Sequence, residues 1–585
     1  MLILGINEGL NSSIAVCDKG RIVFALQEER ISRIKEHSGF PHQAIRFALD
    51  HLGIKIGDFQ KVALSNRYSP TMTRQDLLDY YDLNAAPTHR LVFSGDLKGA
   101  VKRMERRLPR KLAKPLWGKR LVAKNRQVEL QMSEHGIDSD RVVRTDHHRN
   151  HAASAYYGRR MNPVDAHLVL TLDGGGDDVC SQVYVGERGR LSLLAETDTG
   201  HSLGHIYSRV THLMGMKPHE HEYKLMGMAP YADPDYAERV TGVLRRYLGL
   251  DPRNPLLFRR RIQEPTALCE PRLRKDLEGF RFDAIAAGVQ QFCEELMLAW
   301  VRAAVSKTGI SRVVAAGGVF MNVKANKRIA ELPEIDFYDV FPSCGDETLP
   351  FGGAWEAYVS AFPEHNEDIR FDHLYLGPAP IYDLEAAKSE YADRLKFHSV
   401  QDPEQTTAAL LVEGKVVARC SGPMEFGARA LGNRSLLADP GDYRIVAVIN
   451  KMIKQRDFWM PFAPAVLQEA ADDYLHISEK LPRPAISPFM MHTFNTRDNR
   501  EAFVAGIHPY DRTARAQIVT ETGNPSFHRL IREFSKMSGK SVVLNTSFNL
   551  HGHPIVMGAR DAMSVMVNSG IDYLMIENLL VTKKV

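Results

Sequence analysis

Apolar residues and short polar turns alternate at the start of the chain in a pattern that predicts three strands. Leu2-Ile3-Leu4-Gly5-Ile6 runs into the turn Glu8-Gly9-Leu10-Asn11, Ser13-Ile14-Ala15-Val16 resumes, Lys19-Gly20 turns again, and Ile22-Val23-Phe24-Ala25-Leu26 follows. The same order returns from His167: Leu168-Val169-Leu170-Thr171-Leu172-Asp173, the turn Gly174-Gly175-Gly176-Asp177-Asp178, then residues 181–185 and 191–194. Such a repeat predicts an internally duplicated α/β fold, whose glycine-rich first turns suit phosphates bound between the halves. Residues 282–306 carry helical apolar periodicity over too great a length for a strand. Residues 312–316 then read as a buried strand ending at Gly317-Gly318, and residues 337–341 as another ahead of Ser343-Cys344-Gly345-Asp346. Residues 366–381 fall in a polar, Pro-rich stretch that reads as a linker. Beyond it, strand-like runs at 416–419, 541–544 and 573–576 predict a second α/β domain, giving domains at 1–365 and 382–585.

Composition narrows the class. With 44% hydrophobic and 25% charged residues in 585, the chain is that of an ordinary globular protein of two or three domains. It holds no apolar run of membrane-spanning length, and its short apolar start lacks the basic flank of a signal peptide, so a cytoplasmic protein is expected. Cys17, Cys180, Cys269, Cys293, Cys344 and Cys420 form no C-x-x-C pair, which argues against a zinc ribbon, an iron–sulfur site or a disulfide framework. The net charge is only +4, yet the segment 98–126 holds twelve Lys or Arg against the single acid Glu105, with Leu108, Leu112, Leu116 and Trp117 interleaved. An anionic partner (nucleic acid, acidic lipid or phosphorylated glycan) and a solvated helical insertion both account for it.

The sharpest local pattern is Asp146-His147-His148-Arg149-Asn150-His151 ahead of a helix-prone stretch. Asp146 suits an N-cap, and His147 and His151, four apart, would share a helical face. Asp173 and Asp346 each follow an apolar strand and adjoin glycine, so all four can converge on one cleft. Two imidazoles and two carboxylates suit a divalent first-row metal such as Fe or Mn with open positions.

Together with that pair and the Asp173-to-Asp177 turn, the motifs Gly318-Val319-Phe320-Met321-Asn322, Lys224-Leu225-Met226-Gly227-Met228-Ala229-Pro230-Tyr231 and the run from Glu425 to Ser435 resemble the NodU/CmcH/TobZ family of O-carbamoyltransferases over nearly the whole chain. The resemblance implies a duplicated actin-like, TsaD-type N-terminal domain and a YrdC-like α/β C-terminal domain. It implies that carbamoyl phosphate and ATP become carbamoyladenylate, and that the carbamoyl group then moves to an acceptor hydroxyl with release of AMP. It makes Arg429, Lys454, Arg515 and Ser547 the catalytic set of the first step, Gly317, Gly318 and Asn322 the nucleotide-binding turn, and His147, His151, Asp173 and Asp346 the metal ligands.

Two positions depart from the family pattern. Leu10-Asn11 stands where a His-Asp pair is usual, so either Glu8, His37, His201 or His205 takes the proton or the acceptor needs less activation, and Met460 replaces an arginine for which Arg456 is the nearest substitute. The basic segment points to an anionic or lipid-linked glycan acceptor met at the inner membrane face, with no nucleic acid expected. A threonylcarbamoyl-type transferase acting on tRNA, a sugar kinase on the same fold, and a non-catalytic nucleotide-binding scaffold are the competing readings.

Overall fold

A computed structural model describes residues 1–68, 81, 125–454, 456–482 and 486–584. All of the basic segment 98–126 except Asn125 and Arg126 lies outside the described residues. The fold is mixed α/β and is built on three main sheets.

The first sheet contains β1 (Leu2–Asn7), β2 (Ser13–Asp18), β3 (Arg21–Gln27), β4 (Phe59–Leu64) and β5 (Val142–Arg144) in the order β3-β2-β1-β4-β5. β1 to β3 form an antiparallel meander, and β4 and β5 add in parallel. The second sheet repeats this plan with β6 (His167–Gly176), β7 (Val179–Glu187) and β8 (Arg190–Asp198). A hairpin of β9 (Leu248–Leu250) and β10 (Phe258–Arg260) stands apart from it, and the parallel strands are β11 (Arg312–Ala316) and β12 (Phe337–Val340). Its order, β8-β7-β6-β11-β12, has the same sense at every pairing. Helix Leu349–Ala361, which follows β12, packs on the first sheet; helix His147–Arg159, which follows β5, packs on the second; the two helices pack on each other.

The C-terminal sheet has eight strands, in the order Leu395–Ser399, Leu579–Lys583, Tyr573–Ile576, Val417–Cys420, Arg434–Ala438, Val542–Ser547, Ala463–Leu467, Gln517–Val519. One face buries Met563 and Met566 of helix Ala559–Val567, and the other Phe527, Leu530, Ile531 and Phe534 of helix Pro525–Ser538. The largest core is shared: Leu170 and Val314 of the second sheet belong to the same buried cluster as Phe426, Phe489, Ile518 and Val542. Residues 366–381 cross between the parts as a packed strap. Ile369, Leu374 and Leu376 are buried, Leu376 O accepts from Ala25 N at 3.1 Å, and Leu374 O accepts from Phe426 N at 2.8 Å. All six cysteines are buried and unpaired, and among the described residues no helix is long and apolar enough to cross a membrane.

Candidate active site

The Asp146 backbone is extended and its carboxylate accepts from Arg149 N at 2.8 Å, which starts the helix at His147 as the N-cap reading requires. His147 and His151 therefore lie one turn apart, facing the ends of β6 and β12. His151 Nε2 is 3.1 Å from Asp173 Oδ2 and 3.7 Å from Asp346 Oδ1; His147 Nε2 is 3.6 and 3.5 Å from the same two atoms. One ligand atom from each of the four residues lies within 4.8 Å of all the others. His147 Nδ1 hydrogen-bonds Asn66 Oδ1 at 3.0 Å, while the buried Nε2, aimed at both carboxylates, has no hydrogen-bond partner.

Burial disfavours a charged His147, but Asp346 and Asp173 outweigh it and push its pKa up to about 9. His151 is likewise raised against its burial, chiefly by Asp173. Burial would raise Asp173, yet the two histidines hold it well below the usual carboxylate range. Two imidazoles whose protons are held by the carboxylates they face fit a divalent first-row cation, which would take the place of those protons. The intervening His148 is structural: its ring nitrogens bond Thr171 Oγ1 and Val179 O.

The first turns of both halves grip this quartet. Asn7 Nδ2 donates to Leu10 O at 2.8 Å and to Asp346 O at 3.0 Å, and Asp177 Oδ2 accepts from His147 N and Arg67 N at 2.9 Å each. A Cβ on Gly176 would stand 2.1 Å from His147 Cγ. Gly176→Ala is therefore expected to weaken metal binding about 10- to 100-fold with all four ligands intact, as measured by elemental analysis after dialysis against limiting metal.

The second cluster is cationic. Arg429 sits in the loop after Glu425, Lys454 ends a π-helical turn Asn450–Lys454, Arg515 follows Thr513–Ala514, and Ser547 ends Val542–Ser547. Lys454 Nζ donates to Ser547 Oγ at 3.0 Å and to Asn549 Oδ1 at 2.6 Å. Arg456, offered above as the substitute at Met460, is part of this group: it donates to Thr546 Oγ1 at 3.3 Å and lies 5.0 Å over the Phe462 ring. Among the described residues none of Arg429, Lys454, Arg456 and Arg515 forms an ion pair, and Nε of Arg429 and Arg515 is buried without a partner. Burial, and then the neighbouring cations, lower Arg429, Lys454 and Arg515 from their ordinary values. Buried cations that repel one another and lack counter-charge make an anion site.

Both clusters reach one cavity of about 2270 Å³, the quartet through His147, Asp173 and Asp346. The Arg429 loop is fastened to the N-terminal part: Gly427 N donates to Gln27 Oε1 at 3.2 Å, Gly427 O accepts from Arg30 Nη2 at 2.6 Å, and Ala428 N donates to Ser343 Oγ at 3.0 Å. Gly427 has φ +96°, and a Cβ there would lie 2.3 Å from Ser343 Oγ, so only glycine passes.

Gly318 and Asn322 are on the cavity wall. Asn322 also caps helix Val323–Ala330 and pairs with Gln290, so its amide is spent on the fold. Gly317 lies behind, where a Cβ would be 2.4 Å from Leu172 O. Leu10, Asn11, His201, His205 and Met460 line the cavity, whereas His37 bonds Ser32 Oγ outside it. Sequence reasoning missed Asn66, Asn549 and Tyr223. Tyr223 directly precedes the noted motif at 224–231, Asn549 ends the run Asn545-Thr546-Ser547-Phe548-Asn549 that contains Ser547, and Asn66 had no distinguishing signal beyond lying at a strand end.

Residues 2–355 match the family model described as carbamoyltransferase N-terminus, and residues 408–583 match carbamoyltransferase C-terminus. The chain belongs to the carbamoyltransferase family and is a transferase enzyme. An uncharacterised protein of Methanocaldococcus jannaschii is 28% identical, covering 100% of both chains. Nodulation protein NolNO of Sinorhizobium fredii is 28% identical over 97% of this chain and 78% of its own. The 3'-hydroxymethylcephem-O-carbamoyltransferase of Streptomyces clavuligerus is 30% identical over 40% of this chain and 42% of its own.

Proposed function

We propose that the protein is an ATP-dependent O-carbamoyltransferase, which makes carbamoyladenylate from carbamoyl phosphate and ATP and passes the carbamoyl group to an acceptor hydroxyl. The observation that carries this reading is one cavity lined both by Arg429, Lys454, Arg456 and Arg515, which form no ion pair among the described residues, and by His147, Asp173 and Asp346 of the quartet. Water cleaves carbamoyl phosphate to carbamate and inorganic phosphate, and the carbamate oxygen then bonds to the anionic α-phosphate of ATP as pyrophosphate leaves. The guanidinium groups of Arg429, Arg456 and Arg515 hold the oxyanions, and Lys454, aimed by Ser547 and Asn549, supplies a point charge. In the second step the acceptor oxygen bonds to the carbamoyl carbon and AMP departs. A divalent cation on His147, His151, Asp173 and Asp346 would supply positive charge to the adenylate phosphate.

On this reading residues 1–365 form a TsaD-type, actin-like transfer domain and residues 382–585 a YrdC-like activating domain. The presence of Arg456 beside Arg429 and Arg515 supports adenylate formation despite Met460. The direct test mixes the protein with ATP and carbamoyl phosphate: pyrophosphate is expected only when both are present. Release that ignores carbamoyl phosphate would overturn the reading.

The acceptor we assign is an anionic, lipid-linked glycan such as a lipopolysaccharide core sugar, met at the cytoplasmic membrane face. The twelve cations and interleaved leucines of segment 98–126 support it. In flotation with vesicles containing anionic lipid or lipopolysaccharide, the protein should bind at low salt and release as salt rises. A form with the Lys and Arg of 102–114 changed to Gln should stay unbound; equal binding by both sinks the assignment.

A further inference from the structure

Transfer to a hydroxyl requires a group that takes the hydroxyl proton, and the first turn offers Leu10 and Asn11, neither of which is a base. Glu8 is buried behind the wall, 3.8 Å from Arg144, and does not line the cavity. His201 Nδ1 accepts from Arg260 N at 2.8 Å. Burial and then Arg209 push His205 down to about 3, too weak a base for the task.

A tyrosine–histidine pair also faces the cavity. Tyr81 Oη lies 3.2 Å from His219 Nε2, and both residues line the same space as His147, Asp173 and Asp346. A Cβ on Gly174, the residue after Asp173, would stand 4.0 Å from His219 Cε1, so this imidazole packs beside the backbone that follows Asp173. His219 holds φ +66°, a left-handed backbone rare outside glycine. It is kept there by Glu222, whose carboxylate accepts from His219 N at 2.7 Å and from Ser208 Oγ at 2.9 Å. Tyr81 is itself fixed, its ring under the Arg209 guanidinium at 4.0 Å. Strain of this sort persists where surrounding structure imposes it, and it gathers at functional sites.

We propose that Tyr81 and His219 form the proton-accepting pair of the transfer step, a role that rests on the carbamoyltransferase reading above. As the acceptor oxygen bonds to the carbamoyl carbon, its proton passes to Tyr81 Oη and the phenol proton passes to His219 Nε2. The bond between the carbamoyl carbon and the AMP phosphate oxygen breaks, its electron pair leaving on AMP. The imidazolium then gives the proton to water in the cavity.

The test uses the full-length, metal-loaded protein with ATP and carbamoyl phosphate, water serving as the hydroxyl donor, and follows pyrophosphate and AMP separately. Tyr81→Phe and His219→Asn, the latter compatible with a left-handed backbone, are expected to slow AMP release about 100-fold while pyrophosphate formation stays within about twofold. Added imidazole should restore AMP release to His219→Gly, which a purely structural role would not allow. AMP release at the wild-type rate in both variants, or a parallel loss of pyrophosphate, overturns the pair. Absence of pyrophosphate from the unaltered protein counts against the carbamoyltransferase reading instead.

Discussion

Arg429→Ala is expected to lower carbamoyl-phosphate-dependent pyrophosphate release by about a hundredfold or more, the usual cost of removing one ligand to transition-state charge. The reason lies in how Arg429 is held. Its loop is pinned through Gly427 and Ala428 to Gln27, Arg30 and Ser343, and its guanidinium finds no acceptor among the described residues, so its charge is kept for a ligand. Because Arg429 also repels Arg456 and Arg515, its removal should leave the melting temperature of the ligand-free protein unchanged or higher. The two readouts are a pyrophosphate assay and a thermal melt without substrate. Undiminished pyrophosphate release from Arg429→Ala would remove this residue from the first step, and a large fall in melting temperature would make its role structural.

The second large effect is expected from the quartet. His147→Ala or Asp346→Ala should lose bound divalent metal and lower carbamoylation of the acceptor at least a hundredfold, while pyrophosphate formation largely survives. The separation follows from the ligand sets: no cation of the Arg429 group pairs with the quartet, whereas His147 and His151 each face both carboxylates. Removing His147 leaves two carboxylates and one imidazole to share the site, and removing Asp346 takes away a carboxylate whose partners are already buried. Elemental analysis and separate assays of the two half-reactions check this. A full metal complement in both variants would refute the ligand assignment.

Much of this was readable from the chain. The predicted strand at 312–316 is β11, the long helix is Phe282–Thr308, and Asp146 caps the helix that carries both histidines. Those features are local, written in apolar spacing and capping residues. The C-terminal sheet was harder. Three of its eight strands were noted, but Ala463–Leu467 was hidden by Pro464 and Arg434–Ala438 by its place inside a glycine-rich motif. The stretch 366–381 read as a linker from composition alone. Its buried Ile369, Leu374 and Leu376 show that scattered apolar residues in a polar, Pro-rich run can find partners far away in sequence. Tertiary convergence was also invisible. Nothing in the chain says that Arg30, on the third residue after β3, reaches the carbonyl of Gly427, or that Tyr81 meets His219.

The shared core has a consequence for genetic dissection. Because Leu170 and Val314 lie in one buried cluster with Phe489, Ile518 and Val542, and the strap ties β3 to the Arg429 loop, heat should melt the two parts together in a single cooperative transition. A temperature-sensitive allele in the C-terminal sheet would then silence the chemistry at His147, His151, Asp173 and Asp346 as thoroughly as one in β6. Complementation between core alleles of opposite halves should fail, and only substitutions on the cavity surface can sort the two reactions into separate phenotypes.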